Sequence, residues 1–334
     1  EDGSQSKPFY FFQHYDHPSS TTWQVERSDF DKMIMDKAVS NGADLKELTT
    51  AKSLIEENGQ VVGINVEDNS GHGYQLNAPM VVDASGRNTF AQNKRKWKKR
   101  DPQLNKIALW TYYKGALRDP GLDAGSTTVA YLPGKGWFWY IPLKDDIVSV
   151  GIVGERDYLY REGNDLSEIF AREIQNNQWI KEHLSVGTQF GKYWATGEYS
   201  YRSEFCAGDG LLLAGDAFAF LDPVFSSGVF LALKSGEMAA DAVSNALDNN
   251  NFTAKQFESY GKELCNGIES MRALVYAFYD ESFSFADLIK ANPNLSSDLT
   301  DCLIGDVFKD FTDLFSAVSN FATVPSRLSH GLVA

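Results

Sequence analysis

The chain has 334 residues, 43% of them hydrophobic and 23% charged, enough to bury a large core in one big domain or two smaller ones. Its 31 Lys+Arg stand against 45 Asp+Glu, a formal charge of −14. That balance argues against a nucleic-acid or anionic-membrane partner, yet leaves room for a phosphate-bearing cofactor held by helix N-termini and a local arginine. Cys206, Cys265 and Cys302 form neither a disulfide framework nor a zinc pattern, the five histidines show no metal-ligand spacing, and no apolar run reaches membrane-spanning length. The expectation is a cytoplasmic protein without a bound metal.

In chain order, Glu1 to Lys7 is polar, and a strand-like Phe9–Phe12 stretch follows at once, which reads as an interior starting point. A short strand pattern (TWQV) precedes a helix to Asn41, with Ser28 as N-cap before Phe30, Met33, Ile34 and Ala38, and Gly42 as its end. A strand over Leu45–Ile55 leads into hairpin turns at Asn58-Gly59 and Ser70-Gly71, then a buried strand over Ala78–Asp83 that runs into Ala84-Ser85-Gly86-Arg87. From Lys106 to Glu155 a period of two predicts four antiparallel strands, followed by a helix over Asp165–Asn177 and an extended stretch over Tyr193–Phe205. Gly210–Gly215 is a short buried strand, and from Ser226 the chain turns helical, to Leu247 and again from Ala254 to about Tyr279. The pattern is mixed α/β, with a large antiparallel sheet set between parts of a parallel-sheet domain.

The most informative string is Gly210–Leu233, GLLLAGDAFAFLDPVFSSGVFLAL. A buried strand delivers Gly215-Asp216 at its end, and a loop with Asp222-Pro223 leads through Ser226-Ser227-Gly228 into a long apolar helix. Gly215 lets backbone come close, and Asp216 can accept hydrogen bonds from ribityl hydroxyls. The amides of Ser227, Gly228 and Val229 point outward from a helix start, where they can hold the O2/N1 edge of a flavin or a halide. The plainer reading is a strand–turn–helix crossover with an Asp in its loop. Trp137, Trp139 and Ile141 of the WFWYIP run share one strand face and can form a dry wall, or simply pack within the sheet. Arg27 either meets a cofactor or pairs with Asp31 at i+4. His14 and His17 lie in a polar loop, solvated rather than catalytic.

These strings resemble the flavin-dependent halogenases of the FAD-dependent halogenase and monooxygenase superfamily. GDAFAFLDPVFSSG is similar to the second FAD-contacting motif of glutathione-reductase-type hydroxylases and halogenases. Within it, Phe220-x-x-Pro223-x-x-Ser226-x-Gly228 is similar to the halogenase spacing, and Trp137-Phe138-Trp139-Tyr140-Ile141-Pro142 resembles the family's W-x-W-x-I-P. Val25–Asp31 resembles V-x-R-x-x-F-D, Asp83–Gly86 resembles D-A-[ST]-G, and Gly42–Ala51 resembles the strand that meets the adenine. The resemblance implies an FAD site at Arg27, Ala51, Ser85, Gly86, Gly215, Asp216, Pro223, Gly228 and Val229, and a halide held at Ser227 and Gly228. It also implies reduced FAD from a separate flavin reductase, O2, and hypohalous acid passing Trp137 and Trp139 to a catalytic lysine. The substrate would be a small electron-rich aromatic, either free or tethered to a carrier protein.

The departures shape the expectation. No G-x-G-x-x-G occurs, Gly134-Lys135-Gly136 lacking the third glycine, so the first βαβ unit and the catalytic lysine are expected upstream of Glu1. Phe225 stands where tryptophan-type halogenases carry a glutamate, which points to the phenol and pyrrole types. The expected fold is a glutathione-reductase-type FAD-binding fold lacking that first unit: residues 1–104 and 201–250 bind FAD, 105–200 form an antiparallel substrate domain, and 251–334 form a helical region over the substrate pocket. The alternatives are an FAD hydroxylase or geranylgeranyl-reductase-like enzyme on the same scaffold, and a truncated flavoprotein that only binds.

Overall fold

The computed structural model describes residues 10–13, 16–21, 23–101, 103–132, 134, 136–197 and 200–334. Of the aromatic run expected as a strand, Phe11–Gln13 form a single 3-10 turn and Phe9 lies outside the described residues. Aromatic β-propensity makes a strand only where a partner strand exists. Here Tyr10 instead stacks on Phe12 at 5.3 Å and donates its hydroxyl to Asp123 at 3.0 Å. Of the TWQV stretch likewise expected as a strand, Trp23–Val25 join no ladder and Thr22 lies outside the described residues; the Gln24 amide donates to Gly125 O and Thr127 Oγ1. Helix α1 (Arg27–Ser40) starts after Glu26, which places Ser28 inside the first turn rather than at the cap, and it ends at Asn41 before Gly42 at φ +98°. It buries no residue, so Met33, Ile34 and Val39 stay exposed.

Strands β1 (Thr50–Glu57), β2 (Gln60–Glu67) and β3 (Gly73–Asn77) form an antiparallel meander. The first strand begins later than its apolar residues suggest because exposed Leu48 sits in the left-handed region at φ +54° and breaks the extension. Asn58 and Gly59 both take positive φ, as a two-residue turn between right-twisted strands requires. The second turn is tied by the Asp68 carboxylate, which accepts from Ser70 and His72 amides. Then come β4 (Val81–Asp83), α2 (Phe90–Arg95) and β5 (Lys98–Arg100).

All four strands expected between Lys106 and Glu155 form: β6 (Lys106–Lys114), β7 (Thr128–Leu132), β8 (Gly136–Pro142) and β9 (Ile147–Glu155). Helices α3 (Arg156–Leu159), α4 (Leu166–Ile174) and α5 (Gln178–Leu184) follow, with α4 capped by Asp165, whose carboxylate accepts from the Ser167 and Glu168 amides. Strand β10 (Thr188–Gly197) then completes a five-stranded sheet in the order β10-β6-β9-β8-β7. One face of that sheet (Leu109, Phe138, Tyr140, Ile152) packs on Ile169, Phe170 and Ile180 of the helices. The extended stretch expected over Tyr193–Phe205 is divided: β10 ends at Gly197, and β11 (Tyr201–Ser203) and β12 (Phe205–Gly208) belong to other sheets.

Strands β13 (Leu211–Leu213) and β14 (Ala219–Phe220) precede the long helices α6 (Gly228–Asp248) and α7 (Glu258–Tyr279), then α8 (Phe285–Ala291), α9 (Ser296–Ile304), α10 (Thr312–Val318) and β15 (Leu332–Val333). A four-stranded sheet runs β15-β12-β13-β4, with β13 parallel to β4, and a three-stranded one runs β14-β11-β5. Arg202, buried on β11, pairs with Glu269 of α7 at 2.7 Å and donates to the carbonyls of Leu328 and His330, so the segment before β15 is strapped to the core. Glu269 also meets Arg272, which reaches Asp101 at 3.1 Å. The three cysteines are free and buried, and burial pushes the thiols of Cys206 and Cys302 up to about 12.

The chain divides into two compact units: the described residues of Glu1–Asp44 with Gln103–Tyr199, and those of Leu45–Pro102 with Ser200–Ala334. No described helix is long and apolar enough to cross a membrane.

Candidate functional site

In the second unit, the parallel pair β4 and β13 ends in two adjacent turns. Leu213 lies opposite Asp83, and the Ala214 amide donates to Asp83 O at 3.0 Å. The buried Asp83 carboxylate accepts from the amides of Ser85 at 2.9 Å and Ala91 at 2.7 Å, and Ser85 Oγ accepts from the Phe90 amide at 2.9 Å. Gln92 holds the neighbouring turn from below by donating to Ala217 O and Phe218 O, and Tyr201 OH donates to Asp216 O. Ser85, Gly86, Gly215 and Asp216 are thereby brought together at the carboxyl ends of two parallel strands, where open α/β sheets place ligands. Gly86 has φ +60°, and a β-carbon there would meet nothing within 4 Å, so its backbone is open to approach.

Helix α6 packs directly on this turn. The Gly215 amide donates to Ser235 Oγ at 2.8 Å, and a β-carbon on Gly215, itself at φ +57°, would lie 3.4 Å from the Ala232 β-carbon. Gly228 is one helical turn before Ala232, roughly 6 Å of rise, so the start of α6 lies close to the Gly215 turn.

The chain enters α6 through a tightly held loop. The Asp222 carboxylate is buried; it accepts from the Val224 amide at 3.2 Å and from Tyr279 OH of α7 at 2.8 Å. Pro223 opens the 3-10 turn Pro223–Phe225, and Ser226 takes φ +54° before Ser227 caps α6 without a side-chain hydrogen bond. The Leu231 amide closes the first turn on Ser227 O at 2.9 Å, so the amides of Gly228 and Val229 have no carbonyl within the helix. An uncapped N-terminus of a 21-residue helix presents about half a positive charge. A β-carbon on Gly228 would meet nothing within 4 Å. Phe225 packs edge-on against Phe278 at 6.0 Å and Phe285 at 6.1 Å, an apolar wedge just before the Ser226-Ser227-Gly228 run.

In the first unit, Trp137 and Trp139 share a face of β8, their rings 6.1 Å apart. The face proves wider than the hexapeptide suggests. Trp194 of β10 lies opposite Trp110 of β6, Trp110 opposite Gly151 of β9, and Gly151 opposite Trp139, so one row of the sheet carries three indoles with a gap between the second and third. Trp110 stands 6.4 Å from both Trp194 and Trp139. Trp139 Nε1 donates to Ser149 Oγ at 3.1 Å, which satisfies the one polar atom of the indole. The opposite face carries Phe138 and Tyr140, whose hydroxyl donates to Leu117 O and is pushed up to about 12 by burial.

Arg27 is exposed on α1 in the first unit and bidentate to Asp31 at 3.0 Å. Ala51 is exposed near the start of β1, opposite Val66, in a meander that does not include the β4 and β13 turns. His17 is exposed, and His14 lies outside the described residues. Sequence reasoning missed Trp110, Trp194 and Gly151, Ser235 under Gly215, and Tyr279 on Asp222. The alternation IALWTYYK marks Trp110 as facing away from Leu109, and Ser235 stands out as a polar residue in an apolar helix. Nothing local marks Tyr279.

The family described as tryptophan halogenase matches residues 11–321 of the chain. The 1H-pyrrole-2-carbonyl peptidyl-carrier-protein brominase of Pseudoalteromonas luteoviolacea is 34% identical over 86% of this chain and 70% of its own length. The corresponding chlorinase of Pseudomonas fluorescens is 28% identical over 86% of this chain and 65% of its own. The chain therefore spans about two thirds of these relatives. Among solved structures, the flavin-dependent brominase Bmp2 superimposes with a TM-score of 0.83 at 31% identity, covering 90% of this chain and 74% of that one.

Proposed function

Because this chain belongs to the tryptophan halogenase family of FAD-dependent enzymes, we propose that it takes part in halogenating an electron-rich aromatic at the expense of reduced FAD, O2 and halide. We read the unit built on β4, β13 and α6 as most of a glutathione-reductase-type FAD-binding domain, and the indole-lined sheet as its substrate domain. The donor set fits a flavin. Asp216 can accept from ribityl hydroxyls, Gly86 leaves backbone open to approach with Ser85 and Gly215 beside it, and Pro223 fixes the loop leading to the Gly228 and Val229 amides. Arg27 and Ala51 are the proposed contacts to the rest of the cofactor. When bound and reduced, the flavin would activate O2, which supplies the oxidising equivalents.

The protein's part is positioning and exclusion of water. The observation that carries the reading is the uncapped start of α6, where the amides of Ser227 and Gly228 can accept a halide against the helix pole. Trp137 and Trp139 offer a rigid apolar wall that excludes bulk water. Phe225 in place of a glutamate favours a phenol- or pyrrole-type substrate, and the relatives' substrate favours an acyl arene tethered to a peptidyl carrier protein. A separate reductase is the proposed source of reduced flavin.

Reaction with reduced FAD, O2 and a pyrrole-2-carbonyl carrier protein, with chloride or bromide added or withheld, tests the proposal by product mass. The expected result is a halide-dependent mass increase with the matching isotope pattern. Equal turnover without halide to a hydroxylated product would overturn it.

A further inference from the structure

Six of the seven positions from Lys94 to Arg100 are lysine or arginine, in a chain whose formal charge is −14. Local structure explains how they are displayed. Trp97 is buried and packs edge-on against Phe205 at 5.3 Å, anchoring the middle of the run. Lys96 ends α2 in the left-handed region at φ +59°, and Lys94, Lys96, Lys99 and Arg100 are exposed around the anchor. Glu56 offsets Arg95 at 3.1 Å and Glu204 offsets Lys99 at 3.0 Å. Asp101, at the end of the run, is turned inward onto Arg272 and Tyr276. Lysines commonly guard an edge strand such as β5 against unwanted pairing, but Lys94 and Lys96 precede that strand. A six-residue helix has too small a dipole to demand three cations at its end.

We propose that this basic face, led by Lys94 and Lys96 with Lys99 and Arg100, is the docking surface for the carrier protein that delivers the aromatic acyl group. The inference rests on the carrier-tethered reading above. A carrier presents its cargo as a thioester on a phosphopantetheine arm, and the phosphodiester at the root of the arm is an anion that the face complements. The face is joined to the candidate flavin site through α2, whose first turn is held by Asp83 and Ser85. A carrier seated there would stand beside the unit that holds the halide helix. Charge complementarity of this kind acts on encounter and partner choice more than on the chemical step.

The test compares the FAD-loaded enzyme with a Lys94→Glu/Lys96→Glu variant on two probes, the pyrrole-2-carbonyl carrier protein and the small pantetheine thioester of the same acid. The variant should raise KM for the carrier-bound probe by about tenfold at low salt, with kcat at saturation unchanged. Wild-type KM should climb with ionic strength as screening shortens to about 8 Å at 0.15 M, and the variant's should stay flat. The small thioester should be turned over equally by both, and Lys94→Arg/Lys96→Arg should restore wild-type behaviour. Unchanged KM and salt dependence in the charge-reversed variant, with the carrier probe still a wild-type substrate, would place docking elsewhere. A defect seen only when a reductase supplies the flavin, and absent with chemically reduced FAD, would assign the face to the reductase and overturn the proposal. Wild-type turnover of free arenes alone would instead remove the carrier reading and this proposal with it.

Discussion

Gly151 leaves the gap into which Trp139 lies flat: a β-carbon at position 151 would stand 2.3 Å from Trp139 Cζ2 and 2.7 Å from Leu109 O. Leu109 O is backbone and cannot yield, so the indole must. Gly151→Ala should destabilise the sheet by about 1–3 kcal/mol through overpacking and shift Trp139 off the row. Lower thermal stability with altered tryptophan emission is the expected outcome. Halogenation should fall relative to flavin oxidation, because the wall it relies on is broken. An unchanged spectrum and midpoint would refute the packing argument.

Ser235 is the acceptor for the Gly215 amide at 2.8 Å and donates in turn to Ala232 O. Ser235→Ala leaves that amide facing a methyl group at a buried position, at a cost of roughly 1–3 kcal/mol. Flavin fluorescence titration should show weaker FAD uptake, because the turn before Asp216 loses its tie to α6.

Tyr279 fixes the loop leading to α6 through its hydroxyl on the buried Asp222 carboxylate. Removing that hydroxyl in Tyr279→Phe forfeits a charge-assisted hydrogen bond of about 1.5 kcal/mol, close to tenfold in an equilibrium. The half-saturating halide concentration should rise by up to that factor while FAD affinity changes less. Equal weakening of both would mean that Tyr279 supports the whole unit rather than the halide loop.

Glu173 is fully buried between Tyr158, Arg161, Arg172 and Asn176. Burial alone would push its carboxyl up, but the hydrogen bonds from Tyr158, Arg172, Arg161 and Asn176 outweigh it and hold it below the ordinary glutamate value. A folded-state value below the unfolded one gives stability that is complete above about pH 4.3 and is lost as pH falls through the folded value. Acid unfolding followed by circular dichroism should therefore be steeper in the wild type than in Glu173→Gln, whose stability no longer depends on that proton. Parallel acid limbs would show that the carboxylate is not depressed.

Where the sequence could be read correctly, the information was local. Asn58-Gly59 sets a turn by its own φ preferences, and the alternation from Lys106 to Glu155 sets four strands by burial of one face. The Gly215–Gly228 string was readable because strand, turn and helix start follow each other in the chain. The failures were at residues whose state depends on distant partners. The described parts of the two runs, Tyr10–Phe12 and Trp23–Val25, have strand composition but join no ladder, and Leu48 cuts short an apolar run by its backbone conformation. The row joining Trp194, Trp110 and Trp139 depends on register, which side-chain period alone does not set. Ser235 and Tyr279 act across 20 and 57 positions of sequence.

The strap from Arg202 to Leu328 and His330 spans 126 and 128 positions, and it brings β15 alongside β12. Loops that long close late and slowly, because their entropy is spent before their contacts are made. Until then β12 presents an open edge and the Arg202 guanidinium lacks the carbonyls of Leu328 and His330, the kind of surface on which a nascent or refolding chain associates with its neighbours. Yield on refolding should thus be governed by how soon the segment around His330 returns to Arg202, and less by the antiparallel sheet, whose contacts between Lys106 and Glu155 are nearer in sequence.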